Sequence, residues 1–178
     1  MSVMKYLLSN KIVTCCVPNY YCPRHRSGYS IVCAILTADC LPLLLCSKDG
    51  SELAAIHLGW RGLCQNIVDV ALSRFDTDHA NILAWIGPHI HSNNYEVGEQ
   101  VRCTCLQAFP AAEDAFISNK AGYWLASLET LVRHDLASKG ISMIYSCNEC
   151  TFDDENRFFS YRRENPTGRM ASLIWKET

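Results

Sequence analysis

Residues 29–75 read YSIVCAILTADCLPLLLCSKDGSELAAIHLGWRGLCQNIVDVALSRF. Two apolar runs of strand length, residues 31–36 and 41–46, are separated by Thr37-Ala38-Asp39-Cys40. A polar tip from Ser47 to Ser51 follows, then a third apolar run at 53–57 and the turn Gly59-Trp60-Arg61-Gly62. Asp-Gly between apolar runs is a strong hairpin signal, because a type I′ turn needs positive φ at both central residues. With Asp49 and Gly50 in those places, Lys48 pairs with Ser51 and Pro42 faces His57. Cys40 then lies diagonally across from His57 on the same face, where such neighbours stand roughly 7–8 Å apart at Cα. A one-residue slip would put the two side chains on opposite faces. A thiol and an imidazole brought together by one hairpin are the most pointed chemical feature of the chain.

Working outward, residues 61–75 predict a helix, with Leu63, Ile67, Val70, Ala71 and Phe75 recurring at the spacing of one buried face. Its start carries Arg61 and free N–H groups just after His57, either an anion site or a plain strand-to-helix turn. Residues 82–86 read as a buried strand ended by Gly87-Pro88, and residues 99–109 as a helix with Val101, Cys105, Leu106 and Phe109 on one stripe. Residues 123–138 predict another helix, closed by Lys139-Gly140, and residues 141–145 a strand. The end reads as a second hairpin, strands 157–163 and 169–175 around a loop at 164–168 rich in turn formers. Arg162, Arg163 and Arg169 surround that tip, where guanidiniums suit bidentate contacts with phosphate or carboxylate. Residues 11–17 suggest a short strand and residues 18–23 a turn-rich connector.

The remaining candidate ligands read as incidental. Cys15, Cys16, Cys22 and His25 match no ligand spacing. His89-x-His91 could point two imidazoles one way on an extended backbone, but loop surface is the favoured reading. Cys147-x-x-Cys150 stands as one pair without a second, which is weak for a structural zinc site.

The chain has 178 residues, about half of them hydrophobic, and a formal charge of −2. A core that buries roughly 70% of the unfolded surface is within reach at this length. Nothing in the charge balance calls for a nucleic-acid partner, and no apolar run approaches the ~18 residues of a membrane helix. The opening Lys5-Tyr6-Leu7-Leu8 is too brief for a signal-peptide core. Eleven cysteines are therefore read as thiols and the localisation as cytoplasmic.

Cys40 beside His57 permits two kinds of chemistry. Imidazole can take the thiol proton to leave a nucleophilic thiolate, or the two can bind zinc or copper with an open position for water or substrate. Asp39, on the other strand face, is better placed to support the turn.

Three motifs in order, T-A-D-C-L-P-L-L-L at 37–45, A-A-I-H-L-G-W-R-G-L at 54–63 and F-F-S-Y-R-R-E-x-x-T-G-R-M-A-S-L-I-W at 158–175, resemble the bacterial YfiH-type laccase-domain proteins. These are also described as polyphenol-oxidase-like and as purine nucleoside phosphorylases. The resemblance covers about 30–175, leaves 1–29 divergent, and implies a single YfiH-like domain over 1–178. The implied fold class is α+β, a four-layer α/β/β/α arrangement with mixed β-sheets. Cys40 and His57 match two members of the family's His-Cys-His catalytic and zinc-binding set. The first His, from a V-H-G motif, would fall near Met4, where this sequence has none, so the resemblance implies a domain lacking its N-terminal part. His25, His89 and His91 are weak substitutes.

The implied activity is phosphorolysis of adenosine, inosine and methylthioadenosine together with adenosine deamination. Zinc, or alternatively copper, is the implied cofactor, with water attacking the purine C6 in deamination. Arg61, Arg162, Arg163 and Arg169 are the candidates for holding substrate phosphate. The partners are then a purine nucleoside and phosphate, with no nucleic acid and no membrane, in a monomer or homodimer. The alternatives that the resemblance carries are a copper-dependent polyphenol oxidase, a peptidoglycan-precursor editing hydrolase and an inactive remnant of the family. The laccase alternative is chemically weak, since several coppers need many H-x-H groups and this chain has six histidines and one such group.

Overall fold

The computed structural model describes the backbone of Val3–Leu7 and Tyr20–Cys22 and, with side chains, residues 32–176. The short strand expected at 11–17 lies outside the described residues. The connector expected at 18–23 contains a strand instead, β2 (Tyr20–Cys22), which pairs antiparallel with β5 (Leu53–Leu58).

The hairpin at the centre forms with the expected register. Strands β3 (Val32–Thr37) and β4 (Leu41–Ser47) precede β5, and Pro42 faces His57 across the β4–β5 ladder. The turn differs from expectation. Gly50 has φ 68, whereas Asp49 is not among the residues of positive φ, so the turn is not type I′. Gly50 N–H donates to the Ser47 carbonyl at 2.8 Å, closing a turn over Lys48 and Asp49 before a left-handed glycine. The Asp49 carboxylate accepts from the Ser47 and Ser51 hydroxyls and from the Ser51 N–H. That local bonding replaces the second left-handed residue and leaves the register unchanged.

β6 (Ile82–Ile86) and β10 (Met143–Ser146) extend this sheet in the order β10-β6-β4-β5-β2, with β10 and β6 parallel and the other pairs antiparallel. A second sheet, β1 (Val3–Leu7), β11 (Met170–Trp175) and β3, is antiparallel throughout. Strand alternation explains how the two are layered. Leu44, Leu53 and Ala55 point to one face and meet Cys33, Ile35 and Ile174 of the second sheet. Leu41, Leu43, Leu45, Ala54, Ile56 and Leu58 point to the other face and join Leu63, Val68, Leu131, Val132 and Leu136 from the helices. The result is an α+β fold with a mixed central sheet. Helices cover one face of the central sheet and the second sheet covers the other. A third small sheet, β7 (Glu96–Gly98), β9 (Tyr123–Ala126) and β8 (Phe116–Lys120), flanks the helices.

Three expected elements are corrected. Residues 61–75 form two short helices, α1 (Trp60–Cys64) and α2 (Ile67–Leu72), broken at Asn66, which is left-handed at φ 58 and ψ 36. A short polar side chain tolerates that conformation, and the break turns Val70 outward. The helix expected at 123–138 begins later, as α4 (Leu128–Ser138), because the Ser127 hydroxyl accepts the Thr130 N–H and caps it. Tyr123-Trp124-Leu125, rich in strand formers, pairs in β9 instead. Residues 157–163 are not a strand. The Asp154 carboxylate accepts the N–H groups of Asn156 and Arg157, and the Ser160 hydroxyl accepts that of Arg163, so local turns displace a ladder. β11 pairs with β3 and β1 rather than with this segment. The helix expected at 99–109 forms as α3 (Glu99–Ala108).

Candidate active site

Cys40 sits in the bend between β3 and β4, at the end of the seam between the two sheets. The β4–β5 register carried past the ladder sets Cys40 opposite Gly59, and a Cβ built on Gly59 would stand 3.1 Å from Cys40 Sγ. The glycine is therefore there for space, since its φ of −90 suits any residue. His57 points to the face shared with Leu53 and Ala55, at the solvent edge of the seam, and its ring N–H is directed at the Leu36 carbonyl of β3.

The positive charge of Arg169, one residue before β11, reaches both Cys40 and His57. Burial and then the adjacent Asp39 carboxylate push the Cys40 thiol up, with Arg169 pulling the other way. Burial lowers the His57 pKa, the Leu36 carbonyl opposes that, and Arg169 adds to it. Both shifts favour the neutral forms, S–H and imidazole. Among the described residues no thiol–imidazole hydrogen bond joins the two, so the thiolate nucleophile that the sequence allowed has no activating base in this arrangement.

Asp39 holds the surrounding loops together. It is 6% exposed and has φ 85. Its carboxylate accepts the Thr151 hydroxyl at 2.7 Å and the Arg162 N–H at 2.6 Å, and its carbonyl accepts the Ile90 N–H. Three segments distant in sequence thus meet beside Cys40.

One member of this cluster is absent from the sequence reading. Tyr95 is buried, and the Arg162 guanidinium lies 4.9 Å from its ring centroid. Burial, opposed by Arg162, pushes the phenol up to about 12, and Cys40 and Arg61 are among the charges that it senses. No periodic pattern marks Tyr95, because it stands between a short 3-10 turn and the three-residue strand β7.

The four arginines separate into two kinds. Arg61 stacks on Trp60 at 4.4 Å and is exposed. Arg162 donates from one terminal nitrogen to the Glu96 carbonyl, and Arg169 from one to the carbonyls of Thr167 and Gly168. Arg163 instead spends both terminal nitrogens on the carbonyls of Thr151, Phe152 and Phe158. It stitches the loop 151–163, which takes it out of the anion-binding set.

The His89–His91 pair is not loop surface. His89 is 2% exposed, its Nδ1 bonds the Gly87 carbonyl at 2.9 Å, and its Nε2 lies 3.8 Å from Glu129. The two imidazole centroids are 5.1 Å apart, and His91 Nε2 is buried without a hydrogen-bond partner. Cys150 accepts from the His91 N–H and from Asn94. A polar cleft of about 650 Å³ opens beside this segment, lined in part by His91, Cys150, Arg157 and Arg163.

The family model described as multi-copper polyphenol oxidoreductase laccase matches residues 26–177. This chain belongs to that family, the YfiH-type laccase-domain proteins. Purine nucleoside phosphorylase YfiH of Escherichia coli (strain K12) is 46% identical over 160 residues, covering 88% of this chain and 65% of that protein. The crystal structure of Neisseria meningitidis protein NMB0706 matches with a TM-score of 0.81 at 39% identity, over 83% of this chain and 61% of that one. The Bacillus licheniformis YfiH structure matches at 0.77 and 29% identity, over 90% and 61%. The chain thus spans less than two thirds of the length of the relatives it matches.

The family description associates this fold with metal. A thiol and an imidazole are donor types that suit zinc or copper. Among the described residues, however, no group of three or more His, Cys, Asp or Glu converges to hold an ion. Cys40 and His57 alone do not fit a catalytic zinc site, which takes three protein ligands. No helix among the described residues is long and apolar enough to cross a membrane.

Proposed function

We propose that this chain is a purine nucleoside phosphorylase acting at the cluster of Cys40, His57, Tyr95, Arg61, Arg162 and Arg169. The observation that carries the reading is the 46% identity to a protein bearing that name, on a fold that gathers cations beside the Cys40–His57 end of the seam. Phosphate is an anion with four oxygens, and Arg guanidiniums bind such groups bidentately. In phosphorolysis a phosphate oxygen bonds to the ribose C1′ while the bond from C1′ to the purine nitrogen breaks. The purine leaves with that electron pair and takes up a proton.

In this scheme Arg61, Arg162 and Arg169 hold phosphate, and its negative charge is compensated throughout the step. Cys40, kept as a thiol by burial and by Asp39, offers a hydrogen-bond donor to the departing purine. His57, held toward its neutral form by burial, offers a ring nitrogen as an acceptor for a ribose hydroxyl. In this reading the protein is a cytoplasmic enzyme, a monomer or homodimer.

The test is a product assay on the reduced chain with adenosine, inosine or methylthioadenosine. Free base and ribose 1-phosphate appearing only when phosphate is present support the reading. Base release that ignores phosphate, or no release from any of the three nucleosides, overturns it. Ammonia is followed in the same reactions, because deamination of adenosine is the second activity implied by the resemblance.

A further inference from the structure

Eight cysteines among the described residues are in no disulfide, and two of them meet away from Cys40. Cys64 is the last residue of α1, and Cys105 lies in the middle of α3. Their sulfurs are 3.3 Å apart, although 41 positions separate them in the chain. Cys64 is half-buried and Cys105 is 1% exposed. A disulfide needs its sulfurs at about 2.05 Å, so roughly 1.25 Å of approach separates this contact from a covalent bond.

From this contact we propose that Cys64 and Cys105 form an oxidation site, a dithiol that a peroxide converts to a disulfide tying α1 to α3. Cys64 is the attacking sulfur. It is the more accessible of the two, and its hydrogen bond with Cys105 lowers the Cys64 pKa despite the opposing effect of burial. The Cys105 thiol is raised by that bond and by burial, so Cys64 is the first of the two to lose its proton. Reactivity of this kind follows the thiolate fraction and access.

The chemistry balances with hydrogen peroxide as the oxidant. The Cys64 sulfur attacks one peroxide oxygen, the O–O bond breaks, and water leaves to give a sulfenic acid. The Cys105 sulfur then attacks the Cys64 sulfur, the S–O bond breaks, and hydroxide departs with the Cys105 proton as a second water. Two thiols and one peroxide become one disulfide and two waters.

The remaining thiol of α3 is not placed to compete. Cys103 faces solvent on another side of the helix, and the Glu99 carboxylate beside it raises its pKa. The consequence of oxidation reaches the phosphate cluster through one short helix. α1 opens at Trp60 and carries Arg61, and Gly59 before it rests against Cys40. The oxidation itself does not depend on any reading of the reaction.

The test uses the whole reduced chain treated with one equivalent of hydrogen peroxide, followed by alkylation, non-reducing digestion and mass spectrometry. The expected product is a peptide containing Cys64 joined to one containing Cys105, released by dithiothreitol. The joined peptide disappears in Cys64→Ser and persists in Cys103→Ser. Cys64 recovered as a sulfinic acid, or joined to a different cysteine, with Cys105 still open to alkylation, would overturn the proposal. An unreacted Cys64 under the same dose would overturn it equally.

Discussion

The Asp39 carboxylate accepts the backbone N–H of Arg162 at 2.6 Å across 123 positions of sequence. The same carboxylate takes the Thr151 hydroxyl, and its own backbone is left-handed. One buried acid therefore fixes both the bend that presents Cys40 and the loop that presents Arg162.

Replacing Asp39 by Ala leaves the buried Thr151 hydroxyl and the Arg162 N–H without their acceptor. Hydrogen bonds to charged groups are worth about 1.5–3 kcal/mol each, and leaving their partners unpaired costs comparably. Asp39→Ala is expected to lower unfolding free energy by about 3 kcal/mol in urea titration, with Thr151→Val losing only part of that. An unchanged midpoint in Asp39→Ala would contradict the bridging role.

The arginines are expected to separate by type of defect. Arg162→Ala and Arg169→Ala should raise the phosphate KM by roughly tenfold or more, the loss of one charge-assisted contact, with little change in thermal midpoint. Arg163→Ala should lower the midpoint clearly, because three backbone carbonyls lose their donor, and leave the phosphate KM near that of the parent. Phosphate titrations and melting curves on the same three variants read both effects.

Gly168 tests the packing of the C-terminal loop. A Cβ there would come within 2.8 Å of the Phe159 ring, closer than real contacts allow. Gly168→Ala is expected to cost about 1–3 kcal/mol, the usual size of an overpacking strain. Adding Phe159→Leu should recover part of that loss, since neighbours in contact do not add. A strictly additive double variant would contradict the contact.

His89 gives the protein a pH dependence with a definite sign. Burial lowers its pKa, the Gly87 carbonyl and Glu129 oppose that, and His91 reinforces it. In the unfolded chain it titrates at its ordinary 6.5, so below that pH the unfolded state binds a proton that the folded state refuses. Stability is expected to fall as pH drops through 6.5 and to stop falling from this cause below the folded pKa. Urea midpoints across that range should be flatter in His89→Gln than in the parent.

The hairpin register was legible because an alternating apolar pattern fixes which face is buried, and a slip would have exposed Leu43 and Ile56 together. The turn type was not, because Asp49 satisfies the loop with its side chain and needs no left-handed φ. The break at Asn66 and the start of α4 at Ser127 were hidden for a related reason. Apolar spacing runs through both boundaries, and only the left-handed backbone of Asn66 and the Ser127 cap mark them. Of the candidate site, Cys40 and His57 were named by counting along the hairpin and Arg162 by its charge, whereas Tyr95 and Thr151 arrive by tertiary contact alone. Arg163 looked identical to Arg162 in sequence, and only its three carbonyl partners tell them apart.

The most direct measurement is steady-state phosphorolysis by Cys40→Ala and His57→Ala beside the parent, with folding checked by circular dichroism. If the thiol and the imidazole touch the reacting nucleoside, kcat falls by about 10²-fold or more in each, while melting midpoints stay close to the parent. Full phosphate-dependent turnover in both folded variants would place the reaction somewhere other than the Cys40–His57 end of the seam.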